Sequence, residues 1–139
     1  MTESPAERPY TIVFEEYPEY LYALVHSEQY GYDVLAGFLG QIADECKKRN
    51  FRKVMIEENI SATASDEDVI RIASELPELG FSGVRIAYID RFADQKEMNE
   101  MGQDVAVHNG IDVRIFPHQE EADKWLSSDA NVKTNQFGS

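Results

Sequence analysis

The stretch RKVMIEENISATASDEDVIRIASEL, residues 52–76, decides the fold. Arg52 to Glu57 reads as a strand, with Val54 and Ile56 on one face and Met55 on the other. A loop, Asn59 to Ser65, follows. Ser65-x-x-Asp68 then has the spacing of a capping box, in which the serine hydroxyl takes an amide that the first helical turn leaves free. The spacing predicts a helix from Asp66 to about Leu76 that buries Val69, Ile70, Ala73 and Leu76, and Pro77 and Gly80 end it. A strand that runs straight into an amphipathic helix is the repeating unit of a parallel sheet with helical crossovers.

The same unit recurs toward the C-terminus. Val84 to Asp90 is nearly continuous in apolar residues (Val84, Ile86, Ala87, Ile89), as expected of a strand inside a covered sheet. A helix over Ala93 to His108 is expected to bury Met98, Met101 and Val105, with Asn109-Gly110 as its stop. Ile111 to Phe116 is a further strand. Gln119 to Leu126 closes as a short helix with Ala122, Trp125 and Leu126 inward. Toward the N-terminus, Asp33 to Asn50 places Val34, Leu35, Phe38, Leu39, Ile42, Ala43 and Cys46 on one helical stripe. Gly37 and Gly40 on that helix allow close approach to the sheet. Tyr10 to Glu15 and Tyr20 to His26 are strands broken by Tyr17-Pro18-Glu19, a gap too short for a parallel crossover, so they pair antiparallel. The order β-β-α-β-α-β-α-β-α is that of a single α/β domain with one mixed, mostly parallel sheet opened by an antiparallel hairpin. Met1 to Pro9 and Ser127 to Ser139 are polar and are expected to be flexible ends around a domain of residues 10–126.

Composition narrows the function. The chain has 139 residues, enough to bury roughly two-thirds of its unfolded surface. Its 26 acidic and 13 basic residues give a net charge of −13, a field that repels nucleic-acid phosphates and anionic membranes. The one basic cluster, Lys47, Lys48, Arg49, Arg52 and Lys53, straddles a helix end, where cations offset the helix dipole. No stretch approaches the ~20 apolar residues needed to span a bilayer. Cys46 is the only cysteine, which rules out an intramolecular disulfide and places the thiol on an apolar helix face as inert core. His26, His108 and His118 lack metal-ligand spacing, and no phosphate-binding glycine motif or nucleophile elbow occurs. No catalytic residue, cofactor or metal is expected.

The strand RKVMIEEN (residues 52–59), the stretch LPELGFSGVRIAYIDR (76–91) and the ending VAVHNGIDVRIFPHQEEADKWL (105–126), together with the element order, resemble the STAS domain and its relatives in the SpoIIAA-like superfamily. These are bacterial anti-sigma-factor-antagonist-like and SEC14-like small domains. The resemblance covers residues 10–126. It implies a cytoplasmic, non-enzymatic regulatory domain that binds a protein partner or itself. In the antagonists a phosphorylatable Ser or Thr opens the helix after the third strand, and the matching stretch here carries Ser61, Thr63 and Ser65 as candidate modification or partner-loop residues. The family's Asp-Ser-Ser-Gly-like run is absent. Asp66, Glu67 and Asp68 follow instead and would repel a phosphate on Ser65, which also serves as the helix cap.

Five tyrosines, Tyr17, Tyr20, Tyr22, Tyr30 and Tyr32, crowd the hairpin and the loop after it, and tyrosine is common at interfaces. Tyr30, Tyr32, Glu57 and Glu58 are therefore candidate interface residues, with a homodimer as the simplest assembly. Glu57, Glu58 and Asp90 lie at strand ends, where α/β folds place their sites, and solvated carboxylates are the default expectation there. If the first strand neighboured the third, Glu15 and Glu16 would join them in an acidic rim suited to a cation. A receiver domain also carries acids at strand ends but needs a lysine before the last-strand proline, where this chain has Phe116. The alternative function is a small-molecule or lipid binder of the SEC14-like type, with a hollow beneath the first and third helices lined by Phe38, Met98 and Met101.

Overall fold

The structure is a computed structural model that describes residues 9–62, 64–91 and 96–128. The hairpin is β1 (Tyr10–Glu16) and β2 (Leu21–Ser27), followed by α1 (Tyr32–Lys48), β3 (Lys53–Ile60), α2 (Asp66–Leu76), β4 (Arg85–Asp90), α3 (Lys96–His108), β5 (Asp112–Phe116) and α4 (Gln119–Ser127). The five strands lie side by side in chain order, β1 antiparallel to β2 and all later pairs parallel. This is the mixed sheet expected from the sequence.

Because the strand order advances one step at a time, successive crossovers of one hand drop their helices on the same side. The residues that α1, α2 and α3 bury form one core with Leu21, Ala23, Val25, Val54, Ile56 and Ile86. After β5 no strand remains to be reached, and α4 covers the opposite face with Ala122 and Leu126 against Tyr20, Tyr22, Met55, Ala87 and Ile89. The alternation in β3 supplies both cores: Val54, Ile56 and Ile60 face α1–α3, and Met55 faces α4. Gly37 is a close-approach position, although toward β1, since a Cβ there would lie 3.0 Å from the Tyr10 ring. Gly80, at φ 116°, turns the chain out of α2 through a wide turn, Pro77–Phe81.

Several expectations need correction. Ile70 is 42% exposed, and Ile72 takes its place in the core beside Val69, Ala73 and Leu76, which are buried as expected. Met98, Met101 and Val105 are only half-buried, and Ala106 is the buried residue of α3. Trp125 is likewise half-buried, with the Arg85 and Arg114 guanidinium groups 4.5 and 5.3 Å from its ring centroid. β3 runs three residues past Glu57, so Asn59 and Ile60, expected to open the loop, belong to the strand together with Glu58. β2 lies between β1 and β3, so Glu15 and Glu16 cannot join the β3 carboxylates. The expected flexible ends fall outside the described residues except for Pro9, Ser127 and Ser128.

Candidate functional site

The C-terminal ends of β3 and β4 bring together two adjacent glutamates that point to opposite faces of the sheet. Both are buried, Glu57 at 5% exposure and Glu58 at 0%. The expectation of a solvated strand end is therefore overturned for Glu57 and Glu58, and neither carboxylate is available as an interface residue. The physical reason is position: β3 is the middle strand of five, with helices over both faces, so its last turn of alternation is still inside.

Glu57 faces α4. Its Oε1 accepts from the Tyr22 hydroxyl at 2.7 Å and from the Gln119 amide at 2.6 Å, and its Oε2 accepts from Arg91 Nε at 2.7 Å. Burial alone would raise its pKa, but hydrogen bonds from Gln119, Arg91 and Tyr22 and the Arg91 charge outweigh it, and the group is held below the usual carboxylate value. Glu57 is therefore an ionised, fully bonded anchor that ties α4 to the sheet.

Glu58 faces α1–α3. The Tyr30 hydroxyl donates to it, 2.7 and 2.8 Å from its two oxygens, and the Tyr88 hydroxyl donates to Oε2. Asp90 lies directly across from it on β4, and Asn99 of α3 donates to Asp90 at 2.8 Å. Among the described residues no lysine, arginine or histidine forms an ion pair with Glu58. Burial pushes its pKa up to about 7, against the lowering effect of the two tyrosine hydroxyls and with some help from the Asp90 charge. The same surroundings hold the Tyr30 and Tyr88 phenols well above their ordinary value, chiefly through burial.

Tyr32 stands apart from this cluster. Its ring lies under the Arg71 guanidinium at 3.7 Å and its hydroxyl donates to Glu75, so it braces α1 against α2. Ser61 and Ser65 are exposed at the head of α2, and Thr63 lies outside the described residues. Ser65 Oγ accepts the Asp68 amide at 3.1 Å, so the hydroxyl works as the helix cap. The loop before α1 runs beside this helix start: a Cβ on Gly31 would lie 3.8 Å from Asp68 Oδ2. Tyr20 and Tyr22 are buried under α4, and Tyr17 stacks on Tyr20 with ring centroids 5.0 Å apart. Cys46 is buried, and burial raises its thiol pKa to about 11, as suits a core residue.

Next to Glu58 lies a cavity of about 70 Å³ between the sheet and helices α1, α2 and α3. Its walls are apolar, from Leu39, Ile56, Ile72 and Ile86 among others, and its polar end is formed by Tyr30, Tyr88, Asn99 and Gln103. Phe38, Met98 and Met101 do not line it; Phe38 is wholly buried against Tyr10 and the core. Among the described residues no three His, Cys, Asp or Glu side chains gather in a metal-sized cluster, and no helix is long and apolar enough to cross a membrane.

Sequence reasoning missed Tyr88, Arg91, Asn99 and Gln119, which complete the two carboxylate sites. The available signal was the Ile56-Glu57-Glu58-Asn59-Ile60 run itself, where apolar residues on both sides of the acid pair keep the strand going.

No family model and no curated protein matches the chain. Among solved structures it is similar to an anti-sigma factor antagonist from Mycobacterium paratuberculosis, with 15% sequence identity and a TM-score of 0.58 over 91% of this chain and 100% of that one. At that identity the likeness is one of fold, and the fold is the STAS-like α/β sandwich of one mixed sheet that the sequence resemblance implies.

Proposed function

We propose that the chain is a non-enzymatic regulatory module that acts by binding a protein partner through the surface at the head of α2. The observation that carries this reading is the placement of exposed Ser61 and Ser65 beside the loop that precedes α1, on a fold shared with an anti-sigma factor antagonist. The surface combines polar loop residues with the acidic first turn Asp66, Glu67 and Asp68, so a partner that presents basic side chains fits it. Ser65 serves this surface as the cap that fixes the helix start, and a phosphate there would face three carboxylates at once. Self-association through the same surface is disfavoured by its like charge. A cytoplasmic location accords with the single buried thiol.

The test is affinity capture from native cell extract with wild-type chain and with Ser61→Arg and Asp66→Arg variants, read by quantitative mass spectrometry. A partner enriched by the wild type and lost with both variants is expected. Capture that is equal for all three chains would place the contact elsewhere. Light scattering should give a monomer at high protein concentration; a stable dimer disrupted by Asp66→Arg would replace the partner by a second copy.

A further inference from the structure

We propose that the outer edge of β1 is a docking edge for an extended, lysine- or arginine-flanked segment of a protein partner, which joins the sheet as an added strand. The two edges of the sheet are β1 and β5, and they are built differently. β5 has five residues, carries Asp112 and Arg114, and its Ile115 amide already donates to the Gln103 side chain of α3 at 2.7 Å. Short length, charge and side-chain cover are the usual guards of an exposed edge. β1 has seven residues, and its pairing with β2 is unbroken by a bulge. From Tyr10 to Phe14 it has no charge and no proline.

The register shows which groups this edge offers. The Tyr17 amide donates to the Tyr20 carbonyl at 2.9 Å, which makes Tyr17 and Tyr20 a hydrogen-bonded pair. Such pairs recur at every second position of an antiparallel ladder, so Glu15, Val13 and Thr11 bond to β2. The amide and carbonyl groups of Ile12 and Phe14 then point away from the sheet, and among the described residues no other element bonds to them. The side chains suit an added strand as well. Ile12 and Phe14 are half-buried against the α1–α3 core, and Val13, on the opposite face, is 53% exposed, so an apolar neighbour would cover it. Exposed Glu15 accepts the Tyr17 hydroxyl and forms no ion pair among the described residues. With Glu16 beside it and a net charge of −13 on the chain, positive flanks fit this edge. A second copy would bring another −13 to it and is disfavoured. β1 also starts beside the head of α2, since Tyr10, Thr11, Asn59 and Ser61 line one shallow cleft. The inference rests on the reading that the partner is a protein, and it adds the backbone shape and charge pattern of the segment that binds.

The experiment is an NMR titration of the full chain with the capped peptide Lys-Val-Thr-Val-Thr-Val-Lys, following the backbone amides at about 0.15 M salt. Saturable shifts and slowed amide exchange at Ile12 and Phe14 are expected, with the Thr11 and Val13 amides protected before and after. An analogue N-methylated at every internal residue has lost its ladder donors and should not bind. Val13→Lys, which puts a guarding charge on the edge, should bind the peptide roughly tenfold more weakly, as should the wild type a peptide with glutamates in place of both lysines. Glu15→Lys should reverse the preference between the two peptides. Both substitutions sit at exposed positions, and the amide spectrum of each variant checks its fold. No shift at about 1 mM peptide, equal binding of the N-methylated analogue, equal affinity in Val13→Lys, or an unchanged preference in Glu15→Lys would each overturn the proposal. So would Ile12 and Phe14 amides already protected in a free chain that scatters light as a dimer, since a second copy would then hold the edge. Ser61→Arg, which tests the head of α2, should bind the peptide as the wild type does. A peptide that binds none of the chains sinks the edge and leaves the capture result at α2 to stand by itself.

Discussion

Glu57 and Glu58 are chain neighbours of one residue type, buried to nearly the same degree, and they are driven in opposite directions. On the α4 face, Glu57 meets a guanidinium, an amide and a phenol, and its carboxylate is ionised below the ordinary range. On the α1–α3 face, Glu58 meets two phenols and a second carboxylate, and its pKa rises to about 7. Burial acts on both with the same sign; the partners decide the outcome. The lesson is that a β-strand's alternation can place one acid in a structural anchor and the next in a site that lacks a positive charge.

The largest effect that would break this contrast comes from Glu58→Gln. Glu58 has its folded-state pKa raised, so its stabilising contribution is complete below the unfolded value near 4.5 and is lost as pH rises to about 7. That shift corresponds to on the order of 3 kcal/mol. Urea unfolding from pH 4 to 8 should therefore show the variant gaining on the wild type by that order as pH rises through this window, and a constant difference beyond it. A wild-type-to-variant gap that does not change between pH 4.5 and 8 would mean that Glu58 titrates like an exposed acid.

The same substitution one residue earlier should act with the other sign. Glu57 has its folded pKa lowered, so its contribution is present above the unfolded value and is lost as pH falls through the folded one. Glu57→Gln keeps acceptor capacity for Tyr22 but discards the charge that Arg91 pairs with. Because the Arg91 side chain is 44% exposed, the pair is partly screened, and a loss of about 1–2 kcal/mol at pH 8 is expected, shrinking below pH 4. Differential scanning calorimetry at both pH values would check it. A variant more stable than wild type at pH 8 would put Glu57 in the same class as Glu58.

Much of the frame around this pair was legible beforehand, because it rests on local signals. The capping box at Ser65, the break at Tyr17-Pro18-Glu19 and the alternation of Val54, Met55 and Ile56 each act within a few residues. The state of the acids was not legible, because it depends on chain-distant groups: Tyr22 and Gln119 reach Glu57 from 35 and 62 residues away, and Tyr30 and Tyr88 reach Glu58 from 28 and 30. The exposure of Ile70 and burial of Ile72 was legible as well: Val69, Ile72, Ala73 and Leu76 are spaced i, i+3, i+4 and i+7 on one helical face, and Ile70 falls off that stripe.

The smallest effects, and the sharpest, come from removing one hydroxyl on each side. Tyr22→Phe takes one of three donors from Glu57, and Tyr30→Phe takes one of two from Glu58. Each should cost about 1 kcal/mol near neutral pH. Their pH dependence separates them. Without the Tyr30 donor, the pKa of Glu58 climbs further, so the penalty of Tyr30→Phe is larger at pH 8, where the carboxylate must be ionised, than at pH 5, where it is protonated with or without the donor. Without the Tyr22 donor, Glu57 still keeps Arg91 and Gln119, which both lower its pKa, so the penalty of Tyr22→Phe changes less between the two pH values than that of Tyr30→Phe. Chemical denaturation at those two pH values is sufficient. Equal penalties for Tyr30→Phe at pH 5 and pH 8 would show that the phenol packs against Glu58 without holding its charge, and the asymmetry between the two faces of β3 would then reduce to Arg91 alone.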